Sequence, residues 1–289
     1  MKGIILTGGL GTRLYPSTLA ISKQLLPIFN KPMIYYSLST LMLAEIREIL
    51  LITTKEDLKN YKKLFGNGKK IGLKLSYLVQ EKPRGLVDAF ILGSKFIGND
   101  DVCLILGDNI FYGDNFQSLL INSKKLIKEK KQAMIFTFPV KDPSNYGVAN
   151  IKKNKIVSLK EKPINPKSNN AIVGLYFYPN NVKKFAKKIK FSKRGELEIT
   201  DLNKIYVRLK KLSFTKMGRG YAWFDAGSIE SFQEVSQFIR SIENRMGSKI
   251  GCIEEIAFNK KWISKNELKK IAKKYSNSEY GKYLISIIK

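Results

Sequence analysis

The stretch that decides the fold is KGIILTGGLGTRL, residues 2–14, at the start of the chain. Its apolar part, residues 2–7, is typical of a buried β-strand and leads directly into a turn with glycines at positions 8, 9 and 11. Backbone N–H groups of such a turn can surround an anion, and Arg13 adds a permanent guanidinium charge. The segment therefore predicts a strand of an α/β sheet whose carboxyl end lies against a phosphate. The alternative is a tight strand-to-helix turn without a ligand.

Neither of the two common phosphate-binding glycine motifs fits this turn. The chain contains no G-x-x-x-x-G-K-[ST] string, and a dinucleotide G-x-G-x-x-G beginning at Gly9 would need glycine where Leu14 stands. If the turn binds an anion, it does so as part of a different site.

Strand-like and helical segments alternate through the first half of the chain. The pattern predicts strands over residues 48–54, 73–80, 101–108 and 133–140, and helices over residues 33–44, 56–65, 85–97 and 116–131. This order is typical of βαβ units with right-handed crossovers. We therefore expect an α/β protein with a Rossmann-like, mixed and mostly parallel sheet flanked by helices.

The second half changes character. The pattern predicts a hairpin over residues 146–163 with its turn at Lys153 and Asn154, a strand over 171–179, a helix over 198–211, two short strands within 213–227 and a helix over 228–247. The remainder is helical and rich in lysine, and Ser264 with Glu267 forms a plausible capping box. We expect one α/β domain over residues 1–245 and a small helical extension over 246–289, packed on it with an interface or regulatory role.

The chain has no histidine and only two cysteines. The missing histidine excludes Ser-His-Asp triads, Cys-His pairs and HExxH zinc sites. Any metal must therefore be held mainly by oxygen ligands, which favours magnesium or manganese. Cys103 and Cys252 lie in apolar contexts and are expected to be core thiols.

The formal net charge of +28 suggests a nucleic-acid-binding module as one alternative. Only 8 of the 52 basic residues are arginines, and the lysines are scattered through every segment. Compositional drift explains this pattern better, so we expect no nucleic-acid partner. No apolar run approaches the ~20 residues of a membrane span, and the chain starts without a signal-peptide pattern. We therefore expect no membrane association and a cytoplasmic location.

Acidic residues stand at the ends of two predicted strands. Asp108 ends the string LILGD, and Asp225 follows the aromatic string YAWF. Residues at the carboxyl ends of strands face the ligand crevice in open α/β sheets, so the two acids could together hold Mg²⁺ between phosphates. For Asp108 alone, a turn or helix-cap role is the alternative. In SLKEKP, residues 158–163, Glu161 could accept hydrogen bonds from sugar hydroxyls and Lys162 could neutralise a phosphate, unless both are ordinary surface charges.

Several spaced strings carry a resemblance to a known family. They are GGLGTRLYPST, SKQLLPIFNKPMIYYSLSTLMLA, GDN, YGV, EKP, RGELEITD and WFDAG, followed near the C-terminus by EEIAFNKKWI and YGKYL. Together they resemble the sugar-1-phosphate nucleotidyltransferases, most closely the thymidylyl branch. The uridylyl branch shares the GLGTR opening.

The resemblance implies the nucleotide-diphospho-sugar transferase fold and a Mg²⁺-dependent reaction. The implied reaction converts dTTP and glucose 1-phosphate to dTDP-glucose and pyrophosphate, the first step of dTDP-L-rhamnose or related dTDP-sugar synthesis for cell-surface polysaccharide. The same chemistry with UTP or another sugar 1-phosphate is the alternative. Relatives of this kind form homotetramers with a second, allosteric nucleotide site.

The resemblance also implies roles for individual residues. Arg13 and Lys162 are the expected catalytic residues, and Asp108 and Asp225 the metal ligands. The expected nucleotide-binding residues are Gly8, Gly11, Thr12, Arg13, Lys23, Gln24, Gln80 and Gly85. Among them, Gln80 and the Gly85 backbone are expected to read the pyrimidine. The expected sugar-phosphate-binding residues are Asn109, Tyr146, Gly147, Glu161, Lys162, Val173 and Arg194. The expected regulatory residues are Tyr112, Gly218, Arg219 and Glu255.

Four positions depart from the pattern that the resemblance implies. Arg84 stands where relatives have an acidic or small residue, and Val87 where they have alanine. Ala226 replaces a threonine, and Gln117 replaces a histidine near the regulatory positions. Arg84 either alters the nucleotide preference or follows the general drift towards positive charge.

Overall fold

The computed structural model describes residues 1–9 and 11–288. Its strands are β1 (Lys2–Leu6), β2 (Pro27–Ile28), β3 (Lys31–Pro32), β4 (Glu48–Thr53), β5 (Lys74–Val79), β6 (Val102–Leu106), β7 (Asn109–Gly113), β8 (Ala133–Pro139), β9 (Gly147–Lys152), β10 (Lys155–Glu161), β11 (Asn170–Tyr178), β12 (Leu212–Lys216) and β13 (Tyr221–Asp225). Its helices are α1 (Ile34–Leu43), α2 (Leu58–Phe65), α3 (Asp88–Leu92), α4 (Ser94–Ile97), α5 (Phe116–Lys130), α6 (Val182–Ala186), α7 (Ile199–Arg208), α8 (Ile229–Met246), α9 (Ile253–Asn259), α10 (Lys265–Lys274) and α11 (Glu279–Ser286).

The main sheet contains nine of these strands, with the order β10-β9-β11-β6-β1-β4-β5 and with β8 joining β11 to β12. Strand β1 pairs in parallel with β4 and β6, and β4 pairs in parallel with β5. Strand β11 runs antiparallel to β6 and β8. The predicted mixed sheet flanked by helices is confirmed.

Alternate residues of the central strands fill two separate cores. Ile5 and Leu51 belong to one hydrophobic cluster, whereas their neighbours Ile4 and Leu50 belong to the other. This alternation follows the two-residue period of a strand. It explains why the central strands are apolar throughout, because a sheet covered on both faces has no polar side.

The structure differs from the sequence prediction at several short elements. The pattern missed β7, the hairpin β2–β3 and α6. The helix predicted over 85–97 begins only at Asp88, because Gly85 has a φ of +96°, which is outside the helical region. It is divided at Gly93 into α3 and α4. The two strands predicted within 213–227 both exist, but β12 pairs with β8 whereas β13 pairs with β7 in a separate sheet.

Among the C-terminal helices, α9 packs against α1, and α10 packs against α9 and α11. Ile253, Ala257 and Leu284 share a hydrophobic cluster with Leu38 and Leu41. The predicted capping box between Ser264 and Glu267 is present at the start of α10. The division of the chain at residue 245 stays a prediction.

Two further expectations concern the cysteines and membrane association. Cys103 and Cys252 are buried free thiols, as predicted. Among the helices of the described residues, none combines the length and the apolar character that a bilayer crossing requires.

One buried carboxylate joins three parts of the chain. Glu243 of α8 accepts from Lys31 Nζ at 2.9 Å, Asn30 Nδ2 at 2.7 Å, Lys249 Nζ at 3.2 Å and the Ile250 backbone N–H at 3.0 Å. The side chains of Lys31 and Glu243 are each 2% exposed. Burial opposes ionisation of Glu243, but Lys31 and Asn30 hold its pKa below the ordinary value. The carboxylate thus ties the β2–β3 hairpin to α8 and to the segment that leads into α9.

We expect Glu243→Gln to lower the free energy of unfolding by about 3–5 kcal/mol near neutral pH, because it leaves the Lys31 ammonium buried without its counter-ion. A depressed carboxyl pKa stabilises the folded state above the unfolded pKa of about 4.3, and this contribution is lost as the pH falls through the folded pKa. The difference in the free energy of unfolding between wild type and variant should therefore be constant from pH 7 to about 5 and become smaller below about pH 4. Denaturant unfolding across this range measures it.

The control is Glu48→Gln, which breaks the exposed Lys74–Glu48 pair of 3.3 Å. Exposed pairs contribute about 0–1 kcal/mol, so little change is expected. Equal losses for both variants would show that burial of the Lys31–Glu243 pair has no special weight.

Candidate active site

A cavity of about 410 Å³ opens beyond the end of β6. It brings together residues that are far apart in the sequence and that the sequence analysis singled out. Those that line it are Arg13, Asp108, Asn109, Tyr146, Gly147, Glu161, Lys162, Arg194 and Asp225. The cavity therefore lies at the carboxyl ends of the strands, where the sequence predicts a ligand.

The two predicted strand-end acids are neighbours. Asp108 follows β6 after the single residue Gly107, and Asp225 ends β13. Strand β13 pairs antiparallel with β7, with Asp225 opposite Asn109, and the Ala226 N–H donates to the Asp108 carbonyl at 3.0 Å. The register of this two-stranded sheet thus places both carboxylates at one corner of the cavity.

The charges around the two acids differ. Asp108 forms an ion pair with Lys23. Burial acts to raise the pKa of Asp108, but the Lys23 ammonium outweighs it and the pKa lies below the ordinary value. Burial and the nearby Asp108 carboxylate raise the pKa of Asp225 to about 6. Two acids whose charges act on each other, one of them without an ion pair among residues 1–9 and 11–288, favour the approach of another cation.

The donor set suits a magnesium ion that is shared with a substrate. Among the described residues there is no cluster of three or more metal-ligating side chains. Asp108 and Asp225 can supply two carboxylate groups. Mg²⁺ typically takes one or two protein carboxylates and completes its shell with water and substrate phosphates. The pair therefore fits Mg²⁺ bound together with a phosphate ligand.

The glycine turn directs Arg13 towards the cavity. Gly11 has a φ of +64°, a conformation that favours glycine, and its carbonyl accepts from Thr18 Oγ1 at 2.8 Å. Thr12 then begins a single 3₁₀ turn that contains Arg13. A Cβ on Gly227 would lie 2.7 Å from Arg13 Nη2, so the guanidinium lies directly against Gly227 and a side chain there would displace it.

Lys23 and Gln24 lie in a second 3₁₀ turn, Lys23–Leu25. Lys23 is the partner of Asp108. Gln24 is 2% exposed and accepts from Ser22 Oγ at 2.5 Å, and a Cβ on Gly107 would lie 2.9 Å from its Cγ. Gln24 therefore supports the turn before Asp108, and its side chain is not part of the cavity lining.

Of the two residues predicted to read the nucleobase, Gln80 lies beside the glycine turn and Gly85 lies against Leu197. A Cβ on Gly8 would be 2.5 Å from Gln80 Oε1, so these two residues are in contact. A Cβ on Gly85 would be 2.6 Å from the Leu197 backbone nitrogen. Of the described residues predicted to bind the nucleotide, Arg13 alone lines the cavity, and the others lie outside its lining.

Asn109 is held by three contacts. Its Nδ2 donates to Asp108 at 3.0 Å, and its Oδ1 accepts from Trp223 Nε1 at 2.7 Å and from the Gly174 N–H at 2.8 Å. The rings of Trp223 and Tyr146 are 5.1 Å apart between centroids. These bonds join β7, β11 and β13 into one wall of the cavity.

Another part of the cavity lining is charged. Glu161 accepts from Thr200 Oγ1, and Arg194 lies 3.5 Å from Glu161 and 3.6 Å from Glu198. A Cβ on Gly147 would lie 3.0 Å from Thr200 Oγ1, so a larger residue would disturb the Glu161–Thr200 contact. Glu161 and Arg194 are therefore already oriented towards each other.

Val173 takes a different position from its neighbours on β11. Its side chain is fully buried in the hydrophobic cluster that contains Ile5 and Leu51, whereas Ile172 and Gly174 line the cavity. Only the backbone of Val173 can face the same side as these neighbours.

Some cavity residues were not singled out from the sequence. They are Leu86, Leu106, Asn145, Ile172, Gly174, Tyr176, Glu196, Glu198, Ile199, Thr200, Trp223, Gly227, Ser228 and Ser231. The RGELEITD string contains Glu196, Glu198 and Thr200, and the WFDAG string contains Trp223. The family resemblance of these strings could therefore have identified these four residues.

Three of the four predicted regulatory residues lie at one end of the β7–β13 sheet. Tyr112 of β7 is opposite Ala222, and its hydroxyl lies 3.3 Å from Met246 Sδ. Gly218 and Arg219 form the exposed turn that precedes β13. Glu255 lies on α9, where burial raises its pKa.

Two departures have a clear position. Ala226 is fully buried in a third apolar cluster, where a threonine hydroxyl would need a hydrogen-bond partner. Gln117 is exposed on α5.

Comparison with known proteins assigns the chain to a family. A family model described as nucleotidyl transferase matches residues 2–242. The chain belongs to the nucleotidyl transferase family. It is 49% identical over 290 residues, 100% of both chains, to a Neisseria meningitidis protein named glucose-1-phosphate thymidylyltransferase. It is 45% identical over 289 residues, 100% of this chain and 99% of the other, to a Mycobacterium tuberculosis protein of the same name.

A solved structure agrees with this assignment. A Bacillus anthracis protein, provisionally named glucose-1-phosphate thymidylyltransferase and crystallised with sucrose, superposes with a TM-score of 0.76. It is 40% identical, and the match covers 83% of this chain and 95% of that one.

The contact between Gly174 and Asn109 gives a test of this wall. A Cβ at position 174 would lie 2.6 Å from Asn109 Oδ1. We expect Gly174→Ala to lower stability by about 1–3 kcal/mol, as overpacking does, and to slow nucleotidyl transfer because Asn109 and Trp223 lose their shared position. Gly220→Ala is the control, since a Cβ there meets nothing within 4 Å. Unfolding curves and pyrophosphate release measure both effects. Equal behaviour of the two variants would contradict the role given to Gly174.

Proposed function

We propose that this protein transfers the thymidylyl group of dTTP to glucose 1-phosphate, forming dTDP-glucose and releasing pyrophosphate. The observation that carries the proposal is the convergence of two acids, Asp108 and Asp225, and two cations, Arg13 and Lys162, on one cavity. Relatives with 45–49% identity over their full length bear the name of this activity, which supports the choice of nucleotide and sugar.

The reaction needs charge stabilisation more than acid–base chemistry. A phosphate oxygen of glucose 1-phosphate forms a bond to the α-phosphorus of dTTP, and the bond from that phosphorus to the β-phosphate bridging oxygen breaks. The nucleophile is already an anion, so it requires no protein base, which is compatible with a chain without histidine. Positioning and neutralisation of phosphate charge supply most of the rate enhancement in such transfers.

Different residues neutralise the triphosphate of dTTP and the phosphate of glucose 1-phosphate. Arg13 lies against Gly227 beside Asp225, where its guanidinium can bind oxygens of the triphosphate. Lys162 follows β10 directly and lines the cavity, with its N–H donating to the Tyr146 carbonyl at 3.0 Å. This backbone bond fixes the base of the side chain that neutralises the sugar phosphate.

Asp108 and Asp225 would hold a Mg²⁺ ion together with the phosphates. When bound, such an ion neutralises charge on the phosphate oxygens. The Lys23 ammonium, which pairs with Asp108 in this structure, would then also be able to bind the triphosphate. On the sugar side, the Glu161 carboxylate can accept from glucose hydroxyls, and the Arg194 guanidinium can bind the sugar phosphate.

The proposal extends to the setting of the enzyme. It includes a cytoplasmic homotetramer that supplies the first step of dTDP-L-rhamnose or a related dTDP-sugar pathway for cell-surface polysaccharide, without a nucleic-acid partner. A second nucleotide site at Tyr112, Gly218, Arg219 and Glu255 would regulate it. Sedimentation of the purified chain tests the tetramer.

Pyrophosphate release tests the activity itself. The assay is run over dTTP, UTP, dCTP and ATP against several sugar 1-phosphates, with and without Mg²⁺. We expect the highest kcat/KM with dTTP and glucose 1-phosphate. Burying one methyl group changes specificity by about 1–3 kcal/mol, so UTP should be used more weakly. Higher kcat/KM with UTP would establish the uridylyl alternative, and no turnover anywhere would overturn the proposal.

Lys162 has a matched neighbour for a test of its role. We expect Lys162→Ala to lower kcat about 10²–10³-fold, as loss of one transition-state donor does. Lys160→Ala is the control, because Lys160 is an exposed lysine of β10, two residues before Lys162 and outside the cavity lining. Steady-state kinetics measure both. A Lys162→Ala enzyme with near-normal turnover would remove Lys162 from the catalytic residues.

A further inference from the structure

Hydrogen-bonded side chains surround Gln80, the residue expected to read the nucleobase. Gln80 follows the last residue of β5 and is 6% exposed, and Asp88 begins α3 and is 1% exposed. Gln80 Nε2 donates to Asp88 Oδ2 at 2.8 Å, and Arg84 Nη2 donates to Asp88 Oδ1 at 2.6 Å. Each Asp88 oxygen therefore has its own donor.

This arrangement fixes which way the Gln80 amide points. A carboxylate only accepts hydrogen bonds, so the amide nitrogen must face Asp88 and the amide oxygen must face away from it. Oε1 accordingly lies against Gly8 at the glycine turn. Within residues 1–9 and 11–288, Oε1 accepts no hydrogen bond, although the residue is almost buried. An acceptor without a partner at the ligand edge of the sheet is available to a ligand.

The loop between the two residues is held in place. The Arg84 carbonyl accepts from the Leu197 N–H at 2.8 Å, and the Val87 N–H donates to the Leu197 carbonyl at 3.3 Å. Gly85 fits between these bonds with a φ of +96°, which favours glycine. The backbone that carries Arg84 and Asp88 is therefore fixed to Leu197 on both sides of Gly85.

The orientation of the amide decides which pyrimidine it can pair with. With Oε1 outward, the amide offers an acceptor beside its second N–H, which matches an imide base with an N3–H donor next to a carbonyl. Cytosine has an acceptor at N3 and an amino donor at position 4, so it needs the reversed amide. Asp88 blocks that reversal, because its carboxylate would then face the amide oxygen.

We infer that Asp88, held by Arg84, is a positioning residue that fixes the Gln80 amide so that the site prefers thymine or uracil nucleotides over cytosine nucleotides. The inference rests on the proposed function for the identity of the substrate. Asp88 acts through Gln80 and does not itself contact the base. Arg84 contributes less, since its side chain is 47% exposed.

The test is Asp88→Asn in the full chain. An asparagine offers both a donor and an acceptor, so the Gln80 amide can turn either way. We measure dissociation constants of dTTP and dCTP by equilibrium titration, and kcat/KM for both with glucose 1-phosphate. We expect the preference for dTTP over dCTP to fall about tenfold or more, the effect of one hydrogen bond of ~1.4 kcal/mol, with an unchanged KM for glucose 1-phosphate.

The control is Asp101→Asn, which also neutralises an aspartate with one cation and one N–H donor. Asp101 pairs with Lys131 at 3.1 Å and accepts from the Asn180 N–H at 3.0 Å, outside the cavity lining. It should leave the dTTP preference unchanged. Arg84→Gln should lower the preference by less than Asp88→Asn, and it provides a second reading if Asp88→Asn does not fold.

The outcomes separate this inference from the proposed function. A purely structural role for Asp88 would weaken dTTP and dCTP binding equally, and an unchanged ratio in both Asp88→Asn and Arg84→Gln overturns the inference. A wild-type chain that binds dTTP in preference to dCTP but releases no pyrophosphate overturns the proposed function instead. Because binding is measured without turnover, the inference is tested in either case.

Discussion

The antiparallel pairing of β7 with β13 is the constraint on which the candidate site depends. Strand β7 begins at the residue after Asp108, and its register places Asp225 opposite Asn109. The Trp223–Asn109 bond, between residues 114 apart in sequence, reinforces this register. A shift by one residue would turn Asp225 to the other face of the small sheet. The two carboxylates would then lie on opposite faces.

Placing these acids together has an electrostatic consequence for the rest of the cavity. Asp108 and Asp225 repel each other, and burial strengthens the effect. Lys23 neutralises Asp108, and the longer-range charges of Arg13 and Lys162 act on Asp225. The same cations would attract a triphosphate, and a divalent cation between the acids and the phosphates would offset the repulsion. The site is thus arranged for ligands that bring both signs of charge.

Much of this arrangement could be predicted from the sequence, and the exceptions have physical reasons. The glycine turn, Asp108 and Asp225 were found because each follows an apolar strand. Strand β7 was missed because NIFYG is short and begins with a polar residue directly after Asp108. Its pairing with β13 is a long-range contact that no local pattern encodes. The bonds of Glu243 to Asn30 and Lys31 were hidden for the same reason, since these residues lie more than 200 positions before it.

The structure places Arg84 next to a buried carboxylate, which bears on the two explanations given for it. Drift towards positive charge would add lysines and arginines on the surface, without buried partners. Arg84 instead contacts Asp88, a carboxylate with 1% exposure. A buried carboxylate needs a counter-charge or several donors, and Gln80 gives only one N–H. An acidic residue at position 84 would lie beside Asp88 and repel it. The arginine therefore complements the aspartate at position 88, and both residues belong to one hydrogen-bonded group with Gln80.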